Sequence, residues 1–195
     1  NRLLPTQGSI GKLTEERRKA IVCMGHGGTA VIVYLTLDHY PEGIDGSNIW
    51  INEGDGSQTP ATLTAALVEG NPQTAFVSFP GLKAGDQHAT AEIVSFVEAG
   101  AFRAWEDTMK GERGSDYDLL KSTMARGLIA LVDRTLPGFA DAVRYEEVAT
   151  PLSIEHYTSH SQGCFYGLPL TSQRLNAGLT TPDTPIPGLF LTGQD

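Results

Sequence analysis

The sequence has little cysteine and no long apolar run. Its 195 residues contain two cysteines, Cys23 and Cys164, which form neither a disulfide framework nor a metal-ligand spacing. They suggest either a reducing compartment or simple burial of the two side chains. The longest apolar-rich run, residues 30–37, is far shorter than the about 20 residues that span a bilayer. Residues 1–5 lack the apolar segment of a secretory signal. We therefore expect a cytoplasmic protein, with peripheral contact to a membrane left open.

Positive charge is also scarce. Fourteen Lys and Arg residues stand against 23 Asp and Glu, which gives a formal net charge of −9, and the largest basic cluster is residues 17–19. Nucleic-acid binding needs a positive face that neutralises phosphates, so we expect no nucleic-acid partner. With 40% hydrophobic and 19% charged residues, the composition is that of a globular protein with a sizeable core.

The apolar pattern predicts more strands than helices, without strict alternation. Strands are predicted over residues 29–38, 48–52, 74–80, 90–99, 144–148 and 189–192. Helices are predicted over residues 14–22, 62–69 and 101–109 and from Ser115 to about 136, whereas 80–86 is predicted to be a loop and 150–183 largely irregular. This arrangement indicates an α+β fold with a mixed, largely antiparallel sheet and flanking helices.

The helix that begins near Ser115 is the clearest element. Ser115 and Asp118 have the spacing of a capping box with Asp in place of Glu. Apolar residues then recur every three or four positions along one face, and Pro137 and Gly138 end the helix.

Residues 25–30 (GHGGTA) satisfy the G-x-G-x-x-G/A dinucleotide pattern, with Asp45 twenty residues further on. The mechanism of that motif requires a strand before the glycines and a helix after them, so that the helix N-terminus meets the pyrophosphate. Here a helix-like segment comes first and a strand follows. We interpret the glycines as a helix-to-strand connection.

Two further patterns resemble parts of a metal site or a catalytic site, but neither is complete. His156 and His160 are spaced like zinc ligands on a helix, but the Glu of H-E-x-x-H is absent, so we predict no metal site. Cys164 lies among glycines and aromatic residues and is interpreted as a buried small apolar residue. Gly163 and Gly167 beside it would let the backbone approach a ligand or another backbone closely.

Asp195 follows an apolar strand-like run and residues 192–193 (TG). An acid at the C-terminal edge of a sheet is suited to ligand binding, and it could equally cap a following helix. These two roles are compatible. We expect the chain to be part of a longer protein.

Several segments in order are similar to those of the FAD-dependent oxidoreductase superfamily of retinol saturase, phytoene desaturase and carotenoid isomerase. Residues 186–195 (IPGLFLTGQD) resemble the P-x-L-Y-L-T-G-Q-D segment near the C-terminus of retinol saturase-like proteins. Upstream, the similar segments are residues 113–117 (RGSDY), 136–139 (LPGF), 150–153 (TPLS), 156–157 (HY) and 162–167 (QGCFYG).

The resemblance implies an FAD enzyme that desaturates, saturates or isomerises carbon–carbon double bonds of an apolar polyene, of which this chain is the C-terminal, substrate-domain portion without the Rossmann motif. Residues 1–150 would form the substrate-binding domain, and residues 151–195 a return segment with a last strand that belongs to the FAD domain. We expect the chain alone to be inactive and to self-associate through apolar surface.

The resemblance also implies roles for single residues, though it identifies no catalytic residue. Gly193 and Asp195 would bind FAD, and Gln162, where the family often has a basic residue, is expected to have no charge-based role. Residues near the flavin or the substrate channel would be Tyr157, Gly163, Phe165, Tyr166 and Gly167. Two alternatives stay open: a flavin-dependent cis–trans isomerase, and a non-catalytic module that binds an apolar ligand or partner.

Overall fold

A computed structural model of the chain describes residues 8–192. It contains two compact units, one formed by residues 29–163 and the other by residues up to 28 together with those from 164 onward. The predicted division at residues 1–150 and 151–195 concerns domains of a longer protein and stays a prediction.

The larger unit is an α+β domain built on one sheet. Its strands are β1 (Thr29–Leu37), β2 (Ile49–Asn52), β3 (Thr74–Ser78), β4 (Ala89–Val97) and β5 (Val143–Ala149). Their order in the sheet is β2-β3-β4-β1-β5, and every pair is antiparallel. The predicted fold class is therefore confirmed.

Helices flank this sheet. The larger unit contains α2 (Pro60–Val68), α3 (Pro80–Ala84), α4 (Ser115–Thr135), α5 (Phe139–Ala142) and α6 (Pro151–Thr158), with 3-10 turns at Ala99–Trp105 and Ser161–Gly163. The smaller unit contains α1 (Gly8–Cys23) and α7 (Ser172–Asn176).

The core lies between one face of the sheet and the helices α2 and α4. Along β1 the core side chains are Val31, Val33, Leu35 and Leu37, and along β4 they are Ala91, Ile93 and Val97. Leu67 of α2 and Met124, Leu128 and Leu131 of α4 close the core from the other side. Because side chains alternate between the faces of a strand, the intervening residues of β1 and β4 point to the opposite face.

Three local predictions differ from the structure. Gly114 is the N-cap of α4, with a φ of 80°, and no side chain caps the helix, so the capping box predicted for Ser115 and Asp118 was wrong. Residues 80–84 form the short helix α3 instead of a loop, and residues 151–158 form α6 instead of irregular chain. Both helices have proline in the first turn, where the missing N–H costs nothing.

The predicted last strand, residues 189–192, does not form within the described residues. The only pairing there is an isolated antiparallel bridge between Asp183 and Phe190. Leu189, Phe190 and Leu191 are exposed, whereas the sequence predicted a buried strand. A β-ladder needs a partner strand along its length, and this segment has one only at Asp183.

Candidate functional site

The sheet face turned away from α2 and α4, which we call the far face, bears an apolar row across all five strands. Cross-strand pairing aligns Trp50 with Phe76, Phe76 with Val94, Val94 with Ile32, and Ile32 with Ala149. At about 4.8 Å between strands, the row is about 19 Å long. We call these five residues the apolar row.

Aromatic rings dominate one end of this row. The ring centroids of Trp50 and Phe76 are 4.8 Å apart at an interplanar angle of 58°. Trp50 is 70% exposed, and Phe96, one pleat away on β4, is 43% exposed. Exposed rings of this size form a surface suited to an apolar ligand.

A polar row lies directly beside the apolar row. Register places Ser78 opposite Glu92, Glu92 opposite Tyr34, and Tyr34 opposite Glu147. We call these four residues the acidic row. Partial burial, and then the negative charges of Glu92 and Glu147, raise the pKa of Tyr34, so its hydroxyl stays protonated at neutral pH.

The acidic row borders a shallow depression of about 280 Å³. Its polar lining comes from Tyr34, Thr36, Thr90, Glu92, Tyr145 and Glu147. A second depression of about 270 Å³ lies beside α6, where Arg103, Glu106, Glu155 and Gln162 supply the polar lining. Gln162 thus lines a polar depression with a φ of 58°, a left-handed conformation that is uncommon outside glycine.

The predicted channel residues divide between the two units. In the larger unit, Tyr157 lies on α6 and is 69% exposed; Lys110 donates a hydrogen bond to its hydroxyl, and the Lys110 Nζ is 4.3 Å from its ring centroid. Gly163 is buried, and its carbonyl accepts a 2.5 Å hydrogen bond from the Thr29 hydroxyl. A Cβ on Gly163 would collide with the backbone of Pro151.

Phe165, Tyr166 and Gly167 lie in the smaller unit. The rings of Phe165 and Tyr166 are perpendicular, with centroids 4.9 Å apart. The Phe165 amide donates to the Gly28 carbonyl at 2.7 Å, and the Gly27 amide donates to the Gly167 carbonyl at 2.6 Å. The channel role of these residues remains a prediction.

These contacts also explain the glycines at 25–28. Helix α1 precedes them and strand β1 follows, an order that the dinucleotide motif excludes. A Cβ on Gly27 would lie 2.7 Å from the Gly167 carbonyl oxygen, so glycine is needed for two backbone segments to meet. This part of the chain is a connection and does not cradle a phosphate.

The binding of FAD by this chain stays a prediction. Gly193 and Asp195, the residues predicted to bind it, lie outside the described residues. Residues 25–30 match the nucleotide pattern, but their backbone groups form hydrogen bonds with other parts of the backbone. Residues 25–30 are therefore not a site for the cofactor, and we derive no catalytic step from it.

Within the described residues, no group of three His, Cys, Asp or Glu residues could hold a metal ion. His156 lies on α6, whereas His160 comes after the helix has ended, so the two do not share a helix face. Cys164 is buried, as predicted. No helix in residues 8–192 is both long and apolar enough to cross a bilayer.

The acidic and apolar rows are the part of the site that motif reasoning missed. The alternation of side chains along a strand does show which residues of β3 or of β4 share a face. The sequence does not show which residues of different strands stand side by side, because β1 pairs with β4 and β5, far away along the chain.

Comparison with known proteins identifies relatives that are oxidoreductases. The chain is similar to the all-trans-retinol 13,14-reductase of Danio rerio, with 26% identity over 196 residues, covering 91% of this chain and 32% of the relative. The proteins of the same name from Rattus norvegicus and Homo sapiens are 34% and 31% identical over 98 and 97 residues. No family model matches the chain.

The predicted resemblance to the FAD-dependent retinol saturase group is confirmed by these relatives. The chain spans about a third of the length of the zebrafish relative, and the rat and human matches each cover 48% of this chain and 16% of the relative.

Proposed function

We propose that this chain forms the substrate-binding part of an FAD-dependent oxidoreductase that acts on a carbon–carbon double bond of an apolar polyene. The apolar row is the observation that carries the proposal. Its aromatic end, where Trp50 is 70% exposed and Phe96 beside it is 43% exposed, suits an apolar hydrocarbon better than a compact polar ligand, whereas Ile32 and Val94 in the middle of the row are buried. The relatives' name, all-trans-retinol 13,14-reductase, describes such a substrate.

In this proposal the flavin supplies the redox chemistry, and the chain binds and orients the polyene and keeps water from it. Trp50 and Phe76, with Phe96 beside them, would contact one end of the polyene. Retinoids are the favoured substrate class because retinol is the substrate that the relatives' name states.

The test uses the longest natural form of the protein that carries this chain. It is titrated with FAD and all-trans-retinol while flavin absorbance and fluorescence are followed, and products are then identified by mass after addition of a reductant. We expect bound FAD and a product that is heavier by two hydrogen atoms. A product of unchanged mass but altered geometry would instead support the isomerase alternative.

The variant Trp50→Ala should weaken polyene binding while FAD binding is unchanged, and Leu119→Ala, at another exposed apolar residue on α4, is the matched control. Polyene binding without FAD binding would support the alternative of a non-catalytic module that binds an apolar ligand. Binding of neither ligand would overturn the proposal.

A further inference from the structure

In the part of the chain that the structure describes, the sheet ends at two edge strands, β2 and β5. The N–H and C=O groups on the outer side of an edge strand can pair with another extended chain, and natural proteins oppose this with charged side chains, bulges or short strands. Strand β5 has charged residues at Arg144, Glu146 and Glu147 and a register shift opposite Thr36 and Leu37. The β5 edge is therefore protected against pairing.

Strand β2 has neither of these protections. Its residues, Ile49–Asn52, are uncharged, as is Asn48 before them, and its pairing with β3 is regular. The first acid after the strand, Glu53, is paired with Arg134. Two copies of a chain with a formal net charge of −9 repel each other, and this repulsion is weakest where two uncharged segments meet. Self-pairing of β5 would instead bring acids of two copies together, so β2 is the edge that suits a second copy.

The register of β2 shows which of its backbone groups point outward. The Glu53 amide donates to the Gln73 carbonyl at 2.8 Å, so these two residues form a hydrogen-bonded pair with β3 in the register of that ladder. Hydrogen-bonded and non-hydrogen-bonded positions alternate along an antiparallel strand. Counting back from Glu53, the N–H and C=O groups of Asn52, Trp50 and Asn48 therefore point away from β3, toward the open edge.

We propose that two copies of this chain form a symmetric dimer by antiparallel pairing of their β2 strands about a two-fold axis at Trp50. The axis places Trp50 opposite Trp50, and Asn48 of each copy opposite Asn52 of the other. All the outward-pointing groups at these three positions are then paired, with two hydrogen bonds in each pair of residues. An axis at Ile51 would leave Asn48 without a partner in the strand. The dimer goes beyond the proposed function and does not depend on it.

The dimer would also join the aromatic ends of two far faces. Residues opposite each other in a ladder lie on the same face of the sheet, so the two Trp50 rings form a cross-strand aromatic pair. In each copy Phe76 lies beside Trp50, with ring centroids 4.8 Å apart, so four rings become neighbours across the contact. Pairing also covers part of a tryptophan that is 70% exposed in one copy.

The contact is small, because only one short strand of each copy takes part. It is smaller than the about 1,600 Å² of a standard protein interface, so we expect a dissociation constant of about 10 to 200 μM. Sedimentation of the longest natural form of the protein at concentrations up to about 0.5 mM measures it.

The decisive variants use the predicted pairing of Asn48 with Asn52. Asn48→Lys/Asn52→Lys places like charges opposite each other at both ends of the ladder and should raise the dissociation constant at least about ten-fold. Asn48→Asp/Asn52→Asp should do the same with negative charges. An equimolar mixture of the two variants sets Lys opposite Asp and should form a heterodimer at least as stable as the dimer of the unaltered protein.

Gln173→Lys/Asn176→Lys is the matched control, because it adds the same two charges at exposed positions on α7 instead of β2. It should dimerise like the unaltered protein. Amide hydrogen exchange provides a second measurement: the amides of Trp50 and Asn52 should be protected at high protein concentration and exchange on dilution. The Ile51 amide, which points to β3, should be protected at both concentrations.

Two results would overturn the dimer: an unaltered protein that stays monomeric up to about 0.5 mM, or a dimer that survives in both double variants. Circular dichroism shows whether each double variant is folded. If both are folded and monomeric but their mixture forms no heterodimer, the pairing of Asn48 with Asn52 about Trp50 is wrong.

Discussion

Close contacts decide the identity of several single residues. Gly127 lies in the middle of α4, where glycine is unfavourable, yet a Cβ there would be 2.5 Å from the Gly70 carbonyl oxygen. The polar contact between Tyr117 and Thr150 is similarly constrained: both residues are buried, and their hydroxyl oxygens are 2.6 Å apart. At both places the side chain is fixed by a neighbour that is distant along the sequence.

We predict that Gly127→Ala destabilises the chain by about 1 to 3 kcal/mol, because the added methyl group meets backbone atoms that must move. The measurement is the midpoint of urea unfolding. Gly100→Ala is the matched control, since a Cβ at Gly100 would meet nothing within 4 Å. Equal stability of Gly127→Ala and the unaltered chain would show that α4 packs less closely against the turn after α2 than the structure indicates.

At the scale of elements, local sequence signals predicted β1 and α4 well and missed α3 and α6. Strand β1 is rich in β-branched residues and α4 has a clear apolar periodicity. In both elements the residues that the pattern predicts to be buried are the buried ones in the structure. Helices α3 and α6 are only 5 and 8 residues long, too short for an apolar periodicity to reveal them.

The candidate site was harder to predict than these elements, because it depends on register between strands. Alternation along β4 assigns Glu92 and Val94 to one face. That Glu92 lies beside Tyr34 follows only from the pairing of β1 with β4, and these two strands are far apart along the chain. Motif reasoning instead selected Tyr157 and residues 163–167, whose channel role is untested.

An ion pair connects α4 to the turn after β2. Arg134 donates to both carboxylate oxygens of Glu53, at 2.9 and 2.7 Å. The hydrogen bond from Arg134 holds the pKa of Glu53 below its ordinary value. The stabilisation is therefore complete above the unfolded-state pKa of about 4.3 and is lost as the pH falls through the lower, folded-state pKa.

We predict that Glu53→Gln lowers stability by less than about 1 kcal/mol at pH 7, because both side chains are well exposed to solvent. The difference from the unaltered chain should shrink below about pH 4 and disappear in stronger acid. Urea unfolding at a series of pH values measures this. Arg134→Gln should show the same pH dependence, and the double variant should cost less than the sum of the two single variants.

At the scale of the whole molecule, the far face joins the proposed function to the predicted behaviour of the isolated chain. Large apolar side chains on a protein surface mark an interaction site or favour association. Trp50 and Phe96 are such residues, and a formal net charge of −9 opposes association in general. Apolar attraction and charge repulsion therefore act against each other, and salt should favour association by screening the repulsion.

We predict that the 195-residue chain self-associates at high concentration through the far face, and more strongly at higher salt. Sedimentation velocity over a range of concentrations and salt measures this. Trp50→Glu should give a monomer, because it replaces the most exposed ring of the far face with a charge, whereas Leu119→Glu on α4 should leave association unchanged. Circular dichroism checks that both variants stay folded. A monomeric unaltered chain at every concentration would contradict the prediction, and association that persists in Trp50→Glu would assign the contact to another surface.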